Sequence, residues 1–178
     1  MENNKHAVFV SSNLRSTKVG HILNFVHTND CDNGTIWAKG DKSNKKYEGE
    51  IYNAKAATAN DRVYVVGSVP SLPRARTKAE KADTNFYNEA GSVMRMYALE
   101  TDDSYEVSVS LVKAADTNVK EGQYVVADPA VAGKYEEKAT DDGTAAFAAK
   151  ILSVKTYGYG AGADKRMLIE VIRNGFCK

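Results

Sequence analysis

Short runs of β-favouring residues separated by turn residues fill this chain from Cys31 onward, and that punctuation restricts its fold more than any other feature. The cleanest run is Tyr105-Glu106-Val107-Ser108-Val109-Ser110-Leu111-Val112. Its period of two predicts Tyr105, Val107, Val109 and Leu111 toward a core, with Glu106, Ser108 and Ser110 toward solvent. Arg62-Val63-Tyr64-Val65-Val66-Gly67 is nearly all β-favouring, which predicts a strand buried on both faces. Further strands are expected over 35–38, 46–54, 93–99, 119–127, 133–139, 145–154 and 166–172. The stretch 145–150 has helical propensity, but it runs without a cap into Ile151-Leu152-Ser153-Val154, so strand is the expectation. Asn33-Gly34 and Asp142-Gly143 supply tight turns. No stretch alternates strand with helix. The fold class that follows is mainly β, an antiparallel sandwich or a small barrel-like domain.

The first 30 residues have a different texture. They are polar, and their apolar groups gather in two islands, Ala7-Val8-Phe9-Val10 and Ile22-Leu23-Asn24-Phe25-Val26. Neither island has helix caps, and neither leads directly into a hairpin turn. The expectation is an extended N-terminal arm over 1–30 and a β-rich body over 31–178, with the islands as strands awaiting an outside partner. Val8, Phe9, Val10, Ile22, Leu23, Phe25 and Val26 would anchor that arm, with Lys5, Arg15 and Lys18 meeting an acidic rim. Removal of residues 1–29 is then expected to leave the body folded.

Charge and chemistry narrow the function classes. A net charge of +1 gives no global field toward nucleic acid or an anionic membrane, so neither is an expected partner. No run approaches the ~20 apolar residues of a membrane-spanning helix. Nor does the N-terminus carry a secretory apolar region, and production in a reducing cytoplasm with Cys31 and Cys177 as free thiols is expected. All three histidines fall in the arm, and no G-x-S-x-G or Cys-His pattern fits, so a histidine-dependent enzyme is not expected. His21, His27 and Cys31 lack the paired spacing of a closed zinc site, and Asp30-Cys31-Asp32 lacks the glutamate that closes a calcium loop. Neither metal nor cofactor is expected. Glu48 and Glu50 would lie about 7 Å apart on one strand face, which suits a glycosidase pair but equally any exposed strand.

Three groups remain as contact candidates. Tyr157-Gly158-Tyr159-Gly160-Ala161-Gly162 lacks the spacing of a phosphate loop and reads as a hairpin loop presenting Tyr157 and Tyr159. Trp37 joins them as a possible surface aromatic, and together they suit a glycan- or receptor-binding module. Arg74, Arg76, Lys78 and Lys81 form a basic stretch, read as a solvated loop or a docking loop for an acidic protein surface. It has no interleaved aromatics of the kind that stack single-stranded nucleic acid.

Three stretches carry a family resemblance: residues 32–40 (DNGTIWAKG), residues 86–97 (FYNEAGSVMRMY), and Glu121-Gly122-Gln123-Tyr124-Val125-Val126 followed by Phe147-Ala148-Ala149-Lys150-Ile151-Leu152. In these the chain resembles the β-rich capsid decoration (head cement) proteins of tailed bacteriophages. The resemblance implies a structural virion protein on the outer capsid surface that bridges neighbouring major capsid subunits. It also implies trimers and an extended terminal arm that clasps the shell.

Overall fold

A computed structural model describes residues 5–44, 50–58, 60–71, 82–113, 119–128, 130–158 and 163–175. The strands are β1 (Phe9–Asn13), β2 (Ile22–Val26), β3 (Ile36–Lys42), β4 (Ile51–Lys55), β5 (Val63–Val66) and β6 (Met94–Ala98), followed by β7 (Ser104–Ser108), β8 (Tyr124–Ala127), β9 (Tyr135–Lys138), β10 (Phe147–Tyr157) and β11 (Asp164–Asn174). A single helical turn, α1 (Arg15–Val19), links β1 to β2. The mainly β expectation holds.

Two sheets divide the strands. One is a six-stranded antiparallel sheet in the order β1-β7-β11-β10-β8-β9. The other is a closed barrel, β2-β4-β3-β5-β6, in which β6 returns to β2. Every barrel pair is antiparallel except β2 with β4. That parallel pair departs from the all-antiparallel expectation.

Strand alternation explains how the two sheets share one body. In β5, Val63 and Val65 point to a core shared with the six-stranded sheet, while Tyr64 and Val66 face the barrel interior. In β3, Ile36 and Ala38 likewise join the shared core, and Trp37 turns inward to Phe25, Tyr52, Met94 and Met96. The shared core continues through Tyr105, Val107, Tyr135, Phe147, Ile151, Met167 and Ile169 of the sheet. A strand between two apolar layers needs apolar residues at both parities, which is why 63–66 reads as an unbroken run.

Tyr105, Val107, Val109 and Leu111 are all buried as their alternation predicts, although the strand ends at Ser108 and a 3-10 turn carries Val109–Leu111. Ser108 departs from the pattern and is buried. Its hydroxyl donates to the Asp164 carboxylate at 3.0 Å and accepts the Val8 amide at 2.8 Å.

The N-terminal islands are strands, but their partners lie in the same chain, and this corrects the arm expected over 1–30. β1 pairs with β7 through Phe9 with Val107 and Val10 with Glu106. β2 closes the barrel between β4 and β6. Ala7, Val8, Leu14, Phe25 and Val26 are buried. The physical reason is closure: without β2, the strands β4 and β6 would each present an open ladder, and Phe25 would be missing from the barrel interior. Polar contacts fasten the segment further. The Asp32 carboxylate accepts the Ala7 amide at 3.0 Å and lies 2.7 Å from His6 Nδ1, and the His6 amide donates to the Thr84 carbonyl at 2.8 Å.

Gly34 sits where the sheets meet. Its φ is 89°, and a Cβ there would stand 3.0 Å from Leu111 Cδ1 and closer still to Val107 Cγ2. The Asn33-Gly34 turn thus needs glycine both for backbone conformation and for space.

Candidate interaction surface

The longest strands, β10 and β11, form a hairpin that outruns its neighbours. On one side β7 pairs with 166–170; on the other β8 pairs only with 148–150. A last pair of bonds joins Ile151 to the β8 side, its amide donating to the Gln123 carbonyl at 2.8 Å and its carbonyl accepting the Gly122 amide at 2.9 Å. There the chain turns away, with the Gln123 amide bonding the Lys120 carbonyl at 3.4 Å. From Leu152 to Tyr157, β10 has a strand neighbour on one side only among the described residues.

That free half is held firmly. A register shift between Ile151 and Ser153 inserts Leu152 as an extra residue, and pairing with β11 then continues to Tyr157 with Asp164. Val154 packs against the shared core, whereas Leu152, Lys155, Thr156 and Tyr157 are exposed. On the outer face the Tyr157 hydroxyl donates to the Glu106 carboxylate at 3.2 Å, and the Arg166 guanidinium lies 4.7 Å from the Tyr157 ring centre. Arg166 Nε donates to Asp164 at 2.5 Å.

The family described as YonC prophage protein matches residues 2–163. The chain belongs to that family. No curated protein and no solved structure matches it. The family match begins before β1 and takes in every strand except β11, so it covers both N-terminal islands as well as the barrel they complete. A phage origin is therefore established for this prophage-family chain, in keeping with the bacteriophage resemblance of its sequence.

The predicted contact residues are distributed unevenly. Of the arm set, Val8, Phe25 and Val26 are buried, Phe9, Ile22 and Leu23 are half-buried, and Val10, Arg15 and Lys18 are exposed. Arg15 lies 3.8 Å from carboxylate oxygens of both Glu100 and Asp102. Arg74, Arg76, Lys78 and Lys81 lie outside the described residues, as do Tyr159, Glu48 and Cys177. Tyr157 is 38% exposed.

Trp37 is a correction: it is buried inside the barrel. Its Nε1 donates to Thr35 Oγ1 at 3.0 Å, and His27 lies over it with ring centres 4.4 Å apart. An open cleft of about 530 Å³ passes beside this pair, lined also by Asp30, Asp32, Leu111 and Lys134. His27 covers the indole, so the ring is no stacking platform for a sugar. The barrel alternation that turns Ile36 and Ala38 toward the sheet is what turns Trp37 inward.

Several ionisable groups among the described residues are tied up in structure. Glu50 is exposed, and its carboxyl is held below the usual range by hydrogen bonds from Lys42 Nζ at 2.6 Å and the Tyr52 hydroxyl at 2.7 Å. Asp141 takes both terminal nitrogens of Arg173 at 2.9 and 3.0 Å, and this pairing pulls its carboxyl down. Cys31 is buried, and burial, helped by Asp32 and Asp30, pushes its thiol up to about 12. A thiol so poised is not a nucleophile at neutral pH. Among the described residues, no group of three His, Cys, Asp or Glu side chains is placed to hold a metal ion, and no helix is long and apolar enough to cross a membrane.

Sequence reading located the 157–162 loop but ended its strand at Val154. The overlooked signal was Leu152-Ser153-Val154-Lys155-Thr156-Tyr157, which keeps β-favouring residues to the loop itself.

Proposed function

We propose that this prophage protein is a structural component of the virion, binding the outer surface of the assembled capsid and bridging neighbouring major capsid subunits. The observation that carries the reading is the long β10–β11 hairpin, whose β10 strand has a neighbour on one side only from Leu152 onward among the described residues, in a chain of prophage origin. The barrel has no edges, so the exposed ladders lie on the six-stranded sheet, at β1, at β9 and along β10 where the β8 ladder stops. Val10, Arg15 and Lys18 are further exposed residues of the N-terminal region.

The physics suits a shell-stabilising role. A protein that binds the assembled lattice and not its free subunits shifts assembly by mass action. Modest contacts suffice when many copies, or linked protomers such as trimers, act together. Catalysis and cofactors have no part in this reading.

The test is co-sedimentation of the purified chain with expanded empty shells, compared with unassembled major capsid protein. Saturable binding to shells alone is expected. Equal or absent binding to both would remove the capsid role.

A further inference from the structure

We infer that the side of β10 from Leu152 to Tyr157 that has no strand partner among the described residues is a strand-addition edge that takes an extended, acidic segment of the shell protein. This deepens the capsid-surface reading and rests on it.

The geometry of the ladder comes first. Along an antiparallel strand, alternate residues point both backbone groups to one side or the other. On the β8 side those groups are paired as far as Ile151 and have no strand partner from Leu152 onward among the described residues. Six residues match a typical strand of about 5–6, so one added segment would complete the ladder. The edge is also preorganised. Val154 packs against the core and β11 pairs from Ser153 to Tyr157, so ordering the hairpin costs little on binding.

The other edges of the sheet are poorer templates. β9 is short and carries Glu136, Glu137 and Lys138, the charges by which native edges repel pairing. β1 is interrupted by a register shift between Val10 and Asn13, and the chain just before it is bonded to Thr84.

Charge selects the occupant. The stretches 152–158 and 163–168 carry Lys155, Lys165 and Arg166 against Asp164, and Glu106 of β7 stands against Tyr157 on the same face, which leaves a net +1 with Lys155 as the basic residue of β10 itself. Asp164 is already bonded by Arg166 and by the Ser108 hydroxyl. A second copy paired antiparallel on this edge would bring Lys155 close to its own counterpart, which disfavours self-association. An acidic segment meets the opposite situation. Exposed Leu152 and Tyr157, each 38% exposed, offer apolar contact at the two ends of the added strand.

The experiment pairs a charge reversal with hydrogen exchange, using expanded empty shells of the prophage's own major capsid protein as the probe. Lys155→Glu should weaken shell binding at least tenfold while leaving the unfolding midpoint unchanged. Glu137→Lys on the β9 edge should change binding less than twofold. In the wild-type complex, amides within 152–157 should gain exchange protection. Undiminished binding by Lys155→Glu, or shell binding without protection there, overturns this inference and leaves the capsid role standing. Failure of the wild-type chain to bind shells overturns both.

Discussion

Replacing Tyr135 with phenylalanine removes one oxygen and strands two groups. The Tyr135 hydroxyl is fully buried; it donates to the Gly34 carbonyl at 2.9 Å and lies 3.1 Å from the Tyr105 hydroxyl. A hydroxyl has one proton, so with Tyr135 donating to Gly34, Tyr105 donates to Tyr135. Burial pushes both hydroxyls above their usual range, which keeps the relay protonated. Tyr135→Phe leaves the Tyr105 O–H and the Gly34 C=O without those partners in the buried core. An unsatisfied buried group costs about 1–3 kcal/mol, so the pair should cost about 2–6 kcal/mol. In a chain of this length that is a fall in Tm of roughly 4–24 °C. Tyr105→Phe is milder, about 1 kcal/mol or less, because Tyr135 keeps its bond to Gly34. The double variant should cost less than the sum, since the stranded Tyr105 donor no longer exists. Urea unfolding followed by circular dichroism measures all three. Tyr135→Phe within about 0.5 kcal/mol of wild type, or Tyr105→Phe equally damaging, would refute the relay as the pin between barrel and sheet.

Three further outcomes follow from the packing. Gly34→Ala combines left-handed backbone, about 1–2 kcal/mol, with overpacking against Val107 and Leu111, about 1–3 kcal/mol, so thermal unfolding should fall by the sum of both. Asp141 has a lowered folded-state pKa, so its contribution is present above the ordinary value of 3.8 and is lost as pH falls through the folded value. Asp141→Asn should therefore destabilise at pH 7 and narrow its difference from wild type as acid unfolding is approached; a pH-independent difference would contradict the Arg173 pairing. Deletion of residues 1–29 should abolish cooperative unfolding, because it removes β1 and β2 together. A folded, cooperative truncation would restore the extended-arm reading.

Much of the body was legible because its strands alternate in one sequence window. Tyr105 to Leu111 shows its buried face in the pattern itself, and Val63–Val66 shows burial on both sides. What stayed hidden was pairing across sequence distance. Nothing local tells Ile22–Val26 that it lies parallel to Ile51–Lys55, so a short apolar island reads as an arm when it is the closing strand of a barrel. Trp37 was misplaced for the same reason, since the side on which it falls depends on barrel closure. The hairpin edge was half legible: its loop is written in glycine and tyrosine, but the end of the β8 ladder at Ile151 is a property of the neighbour, not of β10.

The central claim is tested most directly by imaging shells from virions of the induced prophage with and without this gene. The account predicts added density of this β body on the outer shell surface across subunit seams, with the β10–β11 hairpin at the contact, and its absence from shells lacking the gene. Identical shells from both, with the chain recovered outside the particle, would contradict it.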